Sequence, residues 1–382
     1  MIFITRFELL SSLKTAQTLL FGLLLFAISF LVVNIFAGAF DSVIIMIAGE
    51  NNKLNSPQLM SMWYAILNMI GLVILAVNAG RIALREFDHN AYHLTFTSPI
   101  SKALFITGKF LAIFSNALFL FSCSVLGTIV ATLMPYLDQT QFGPIGLQNY
   151  LYPFLTIVVP NVFFMSAIFL SLSLLFRNHF VNWLTMILLY AIYYASTQLG
   201  KNPDFNFTAA LLDPFGLRAI NYSAIGLTSE QLNENAVSKS QVVLLNRMLW
   251  SILGMGMLFL TFLRFHFGIR QMKTLNFFNA FKVRALSNPQ SVNKEAPAVN
   301  ISFSFLVGLK QFLFLIRHEW SMLFKSMFFK IIMLIGVVLL FVSSTAIGKI
   351  YDTNTYPIAY SVADVFLEAN NLFFFVLITL FS

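Results

Sequence analysis

Apolar runs long enough to cross a lipid bilayer recur along most of this 382-residue chain. A transmembrane helix needs ~20 consecutive, mainly apolar residues to cross the hydrocarbon layer of a bilayer. Six runs of this kind lie at residues 19–40, 60–79, 110–134, 150–176, 181–199 and 243–265. Only 10% of the residues are charged and 58% are hydrophobic, a composition that excludes a soluble domain. We therefore predict an all-α, polytopic helical membrane protein whose solvent is the lipid bilayer.

The first 18 residues have an amphipathic pattern. An apolar face includes Phe3, Phe7 and Leu10, and the opposite face carries polar residues, namely Glu8, Ser11, Ser12 and Thr15. This pattern predicts a helix that lies in the membrane interface before the first span. A secretory signal is the alternative, because Ala37-Gly38-Ala39 resembles a cleavage site. The apolar run at residues 19–40 is too long for a signal peptide, so we expect a retained span.

A basic loop lies between the second and third runs, at residues 81–109. It contains Arg81, Arg85, Lys102 and Lys109 against only Glu86 and Asp88. Apolar residues recur there at helical spacing (Leu84, Phe87, Ala91 and Leu94) until Ser98-Pro99 interrupts the pattern. We predict a short helix under the membrane that contacts a soluble partner. A solvated connector is the alternative, since loop charge alone sets membrane topology.

The distribution of positive charge predicts the orientation of the spans. If the N-terminus is cytoplasmic, most Lys and Arg residues fall in cytoplasmic segments, as the positive-inside rule requires. The net charge of +8 is then explained by topology, and we expect no nucleic-acid partner. The predicted location is the inner (plasma) membrane, with multiple spans and a cytoplasmic N-terminus.

The predicted spans contain almost no acidic or basic residues, which argues against transport driven by protons. Asparagines are the polar candidates for a substrate role inside them, and Pro160 precedes one of these and predicts a kinked helix. A possible substrate path therefore includes Asn68, Asn116, Pro160 and Asn161. The alternative is that these asparagines, with Asn78, form hydrogen bonds between helices.

No nucleotide-binding, catalytic or metal-binding motif is complete in this chain. Gly-Lys occurs at positions 108, 200 and 348, each time without the earlier glycine of a phosphate-binding loop. His318-Glu319 lacks the second histidine of a zinc-peptidase motif, because position 322 is Met322. Asp88, His89 and His93 lack an obvious further metal ligand. We expect neither an enzyme nor a cofactor or metal site, and any ATPase must be a separate subunit.

A short pattern repeats along the chain. Arg6-x-Glu8-x5-Lys14 before the first span matches Arg317-x-Glu319-x5-Lys325 before another apolar run, at residues 328–347. We predict a first permease unit at 1–285, with one interfacial helix and six transmembrane helices, a linker at 286–300, and an incomplete second unit at 301–382. The last apolar run, at residues 371–382, has about half the length of a span, so we expect a longer native protein.

Several motifs together resemble the permease of type-2 ATP-binding-cassette (ABC) exporters, close to the membrane part of bacterial permease–aminopeptidase fusions. They are Asn55-Ser56-Pro57, Arg85-Glu86-Phe87, Ser98-Pro99-Ile100-Ser101, Gly108-Lys109, Met134-Pro135, Pro160-Asn161, Leu212-Asp213-Pro214-Phe215-Gly216 and Leu245-Asn246-Arg247. The resemblance implies export powered by a separate ABC ATPase subunit, and pairing with a second permease unit or a second copy of the chain. It also implies that the first loop receives the push of the ATPase, through Arg85, Glu86, Phe87, Asp88, Leu94, Ser98 and Pro99.

A second functional class is compatible with the same sequence. The chain would then be a non-transporting membrane anchor for a downstream extracytoplasmic domain, such as an aminopeptidase. An intramembrane enzyme is disfavoured, because no polar catalytic cluster is visible within the spans.

Overall fold

The computed structural model describes residues 2–39, 52–144, 146–200, 202–234 and 239–267, with short pieces at 311–318, 320–321, 333, 349–350 and 353–354. Among these residues, six helices are long and apolar enough to cross a membrane. The chain is an all-α polytopic membrane protein, as predicted. The strands in the described part are the antiparallel pair Lys349–Ile350 and Thr353–Asn354, each of two residues.

The described residues before position 265 include twelve α-helices. They are α1 (Ile2–Leu13), α2 (Ala16–Phe36), α3 (Pro57–Asp88), α4 (Tyr92–Thr97), α5 (Lys102–Thr132), α6 (Leu147–Pro153), α7 (Val159–Phe176), α8 (Phe180–Leu199), α9 (Asn206–Leu212), α10 (Leu217–Ala224), α11 (Ser229–Glu234) and α12 (Gln241–Arg264). The six spans are α2, α3, α5, the pair α6–α7, α8 and α12. Each overlaps one of the six predicted runs.

Residues 311–318 belong to a second unit of the chain and are helical. The ring of Phe314 stacks on His318 there, with 6.3 Å between ring centroids. The predicted linker at 286–300, the repeated span at 328–347 and the short run at 371–382 lie outside the described residues, apart from position 333.

Serine side chains begin three of the spans. The Oγ atoms of Ser56, Ser101 and Ser240 accept hydrogen bonds from backbone N–H groups three residues later, each at 3.3 Å. Such N-caps satisfy donors that a helix start leaves unpaired and contribute about 1 kcal/mol each. Pro57 is the first helical residue of α3, directly after the Ser56 cap.

The third helix, α3, is the most enclosed span of the bundle, whereas α2 and α12 are the least enclosed. Large α3 side chains such as Tyr64, Leu67 and Leu72 are fully buried. By contrast, α2 and α12 expose rows of Leu, Ile, Met and Phe side chains. In a membrane protein such apolar surface contacts lipid or another membrane helix, so its exposure carries no penalty.

The fourth span contains a π-helical turn at Phe154–Val158, between α6 and α7. Pro153 ends α6 and Pro160 lies in the first turn of α7. Proline cannot donate a backbone hydrogen bond and its ring crowds the preceding turn, so a wider turn accommodates it. The predicted irregularity near Pro160 is thus present, as a π turn just before it.

The polar segment after α8 folds back onto the bundle. Its Ala210, Ala219 and Ile220 are fully buried with Ala65 of α3 and Val243 of α12. Thr228 and Gln231 form a capping box at the start of α11, because each backbone N–H donates to the other side chain, at 3.0 and 3.4 Å. We call this end of the bundle, with α9, α10 and α11, the far end. The opposite end, with α1, α4 and the turn at residues 177–179, is the loop end.

Candidate functional site

The first loop is a bent connection rather than one continuous helix. The third helix ends at Asp88, and Asn90 takes a left-handed conformation with φ 53° before α4 begins. The prediction that Leu84, Phe87, Ala91 and Leu94 share one helical face is therefore wrong. Their spacing fits a helix, but the left-handed turn at Asn90 divides them between two helices. The sequence has no glycine or proline at this break, so no common helix-breaking residue indicates it.

An aromatic cluster forms the base of α4. Ring centroids lie 5.7 Å apart for Phe87 and Tyr92, 5.8 Å for Phe87 and Phe96, and 6.0 Å for Phe96 and Phe105. Phe105 stacks in turn on Phe265 at 5.7 Å. These rings come from α3, α4, α5 and the end of α12, so the cluster fixes α4 to three spans.

The turn between α7 and α8 supports the same base. The guanidinium of Arg177 lies over the ring of Phe87, 4.9 Å from its centroid. The two carboxylate oxygens of Asp88 lie 2.9 and 3.0 Å from Nε2 of His179. The predicted loop residues Phe87 and Asp88 therefore contact a second loop-end segment, the turn at residues 177–179.

One apolar side chain of α4 projects away from this base. Leu94 is 78% exposed, the highest value among the large exposed hydrophobic residues. Pro99 and Asp88 are also exposed, and Ser98 and Phe87 are half-buried. Of the predicted coupling residues, Leu94 and Pro99 thus lie on the outer surface, and Phe87 lies beneath them.

Two other predicted coupling residues are directed inward. Arg85 forms an ion pair of 3.2 Å with Glu8 of α1, and Glu86 forms one of 2.7 Å with Lys109 of α5. Lys109 also lies 3.5 Å from Glu8. We call these four side chains the ion cluster. The prediction that Arg85 and Glu86 form a polar rim for a partner differs from the structure, because both charges are paired within the chain.

Lys109 is the central cation of the ion cluster. Its side chain is fully buried, and its ammonium also donates to the backbone carbonyl of Ile82 at 2.5 Å. Burial of such a charge is tolerated only when carboxylates and carbonyls replace its water. The cluster joins α1, α3 and α5 through contacts that sequence spacing alone could not reveal.

The asparagines of the predicted substrate path are engaged in hydrogen bonds. Asn68 donates to the carbonyl of Tyr64 in its own helix at 2.6 Å, and Asn116 donates to Oγ of Ser12 at 3.0 Å. The Asn116 bond joins α5 to α1. The Asn116 contact favours the alternative in which an asparagine bridges helices, whereas the Asn68 contact lies within α3.

Asn161 belongs to a buried polar clamp at the far end. It donates to the carbonyl of Phe215 at 3.0 Å and accepts a hydrogen bond from the guanidinium of Arg247. Arg247 is buried and also donates to the carbonyl of Asp213 at 3.3 Å and to the side chain of Asn246. This role of Arg247 was not predicted from the sequence.

The clamp holds the turn between α9 and α10 against α7 and α12. Asp213 accepts hydrogen bonds from the backbone N–H groups of Phe215 and Arg218, both at 2.7 Å. Burial raises the pKa of the Asp213 carboxyl, whereas these donors and the charge of Arg247 oppose that rise. Gly216 has φ 87°, and a side chain there would lie 2.7 Å from the Arg247 guanidinium, so glycine is required.

Among the residues that the structure describes, no three His, Cys, Asp or Glu side chains are grouped as metal ligands. The chain matches no protein-family model, no curated protein and no solved structure. Its function must therefore be argued from the geometry of the loop end and the far end.

Proposed function

We propose that this chain is the permease subunit of an ABC-type exporter, and that α4 docks on a separate ATPase subunit. The observation that carries the proposal is the exposed Leu94 on a short helix whose base is fixed to several spans. An apolar residue at the centre of a small exposed helix is typical of an anchor that fills a pocket on a partner.

The loop end is built in a way that suits the transmission of force. Only three residues connect α3 to α4, and only four connect α4 to α5. The aromatic cluster ties α4 to α3, α5 and the end of α12, and the ion cluster ties α3 and α5 to α1. A push on α4 therefore displaces the spans themselves, instead of being absorbed by a loose loop.

The proposed orientation follows from the source of energy. The chain has no phosphate-binding loop of its own, so ATP-driven work must arrive by contact where ATP is present. We therefore place the loop end in the cytoplasm and the far end outside the plasma membrane. The exposed faces of α2 and α12 are the surfaces available to a second permease unit or a second copy.

Substitution of the exposed leucine tests the proposal. We expect a full-length chain that carries Leu94→Glu, purified from its native host, to show about 30-fold less co-purifying ATPase activity than the unmodified chain. A loss of this size follows when a side chain that contributes ~2 kcal/mol to the binding free energy is removed. Ile225→Glu is the matched control, because Ile225 is 69% exposed but lies at the far end. That variant should keep the activity of the unmodified chain.

Two results would contradict the docking role. One is ATPase activity that survives Leu94→Glu at the level of Ile225→Glu. The other is an unmodified chain from native membranes without any co-purifying ATP hydrolysis, and that result would favour the membrane-anchor alternative.

A further inference from the structure

Arg81 is a cation of α3 at the loop end whose hydrogen-bond acceptors are neutral side chains. One terminal nitrogen donates to Thr15 Oγ1 at 3.1 Å and Gln17 Oε1 at 3.0 Å. The other donates to side-chain oxygens at 3.0 to 3.1 Å, namely those of Ser12, Thr18 and Asn78. Within the described part of the chain, no carboxylate forms an ion pair with Arg81.

The carboxylates of the neighbouring ion cluster already form ion pairs with other cations. Glu8 pairs with Arg85 and Lys109, and Glu86 pairs with Lys109. The charge of Arg81 is therefore uncompensated in a helix that crosses the membrane. Such charges usually find a counter-charge, because hydrocarbon solvates them poorly.

Further positive charge surrounds this position on the exposed side of the loop end. Arg6 of α1 and Lys14, in the turn directly after α1, are both exposed. The apolar Phe7 and Leu10 between them are also exposed, as expected for a helix lying in the bilayer interface. Basic residues beside an interfacial helix attract anionic lipid head groups, at about 1 kcal/mol per charge.

An apolar strip continues from Arg81 along the first turns of α2. Gln17, which accepts from Arg81, is followed on the same helical face by Leu20 and Leu24. Leu20 is 62% exposed and Leu24 is 43% exposed. A free anion would gain nothing from these leucines, whereas a lipid would place its acyl chain on them.

We infer that the loop end binds one anionic phospholipid. Its head-group phosphate neutralises Arg81 with help from Lys14, and one acyl chain lies along Leu20 and Leu24. The inference does not depend on an ATPase partner, because every contact belongs to α1, α2 and α3.

Lipid titration followed by native mass spectrometry tests the site. The full-length chain in neutral detergent should bind phosphatidylglycerol in preference to phosphatidylcholine of the same chain length. Arg81→Gln and Lys14→Gln should each weaken phosphatidylglycerol binding about fivefold, and together about 25-fold. Arg81→Lys should retain most of it, because the charge remains. Lys102→Gln is the matched control, since it removes one positive charge at the same end, above the ring of Phe262.

Three outcomes would overturn the inference. They are equal binding of the two lipids by the unmodified chain, an unchanged preference in Lys14→Gln, and displacement of phosphatidylglycerol by millimolar inorganic phosphate, which would indicate a soluble anion. Lys14 is exposed, so Lys14→Gln remains informative even if Arg81→Gln fails to fold.

Discussion

At the scale of single residues, the stability of the loop end depends on how the charge of a buried lysine is neutralised. Lys109 reaches Glu8, which is 101 positions away in the sequence, and Glu86 of the preceding helix. Removing one partner of a buried ion pair costs about 3 to 5 kcal/mol, because the remaining charge is left unpaired, whereas removing both partners costs far less. Substitutions within the ion cluster are therefore expected to have strongly non-additive effects on the free energy of unfolding.

Lys109→Met should lower the stability of the folded chain by about 3 kcal/mol, because Glu86 loses its ion-pair partner in the cluster. Adding Glu86→Gln to that variant should restore a large part of the loss. The midpoint of thermal unfolding in detergent measures both changes. Lys102→Met is the control, because Lys102 lies on the less buried first turn of α5, and it should change the unfolding midpoint little. Strictly additive effects of the two substitutions would contradict the coupling.

Residue roles in the site were only partly predictable from sequence. The sequence singled out the loop with Arg85-Glu86-Phe87 and its apolar residue Leu94, and in the structure Leu94 is 78% exposed. Its role in coupling stays a prediction. The inward direction of Arg85 and Glu86 was not predictable, because it depends on Glu8, whose helix contacts the loop only in the folded chain. Arg247 was missed for the same reason, since its partners come from α7 and the turn after α9.

At the scale of elements, the presence of the spans was predictable and their ends were not. Hydropathy identified residues 60–79, but α3 continues to Asp88. The extra turns carry Arg81, Arg85 and Glu86, which hydropathy counts as polar. In the structure these charges are bonded to α1 and α5, so the helix continues past the apolar run. Tertiary pairing thus overrides the local signal.

The contact between α2 and α5 depends on glycine. A side chain at Gly127 would clash with the backbone carbonyl oxygen of Phe26, and one at Gly22 would lie 3.3 Å from Sγ of Cys123. Small residues of this kind allow membrane helices to approach closely. Because a backbone atom cannot move aside cheaply, the position of α2 is set by Gly127.

Gly127→Ala should therefore destabilise the bundle by about 1 to 3 kcal/mol, the usual range for overpacking. Gly256→Ala is the matched control, since nothing lies within 4 Å of a side chain built there. The unfolding temperature of the two variants in the same detergent distinguishes them. If Gly127→Ala is as stable as Gly256→Ala, the close approach of α2 and α5 is not a determinant of stability.

At the scale of the whole membrane bundle, the two ends are built differently. The loop end has the exposed α4 on its aromatic base and an ion cluster that includes α1. The far end has α9 and α10 folded inward and held by the Arg247 clamp. The third helix runs through both, so it is the element through which a change at α4 would reach the far end.

The side of the membrane that the loop end faces is the most direct test of the proposed function, because a loop outside the cell cannot meet an ATPase. Single cysteines introduced by His93→Cys and Glu230→Cys, each in a Cys123→Ser background, report the two ends, since both positions are exposed. Intact cells are treated with an impermeant maleimide. We predict labelling of the Glu230→Cys variant at once, and of the His93→Cys variant only after the cells are made permeable. Labelling of His93→Cys but not Glu230→Cys in intact cells would contradict the proposal.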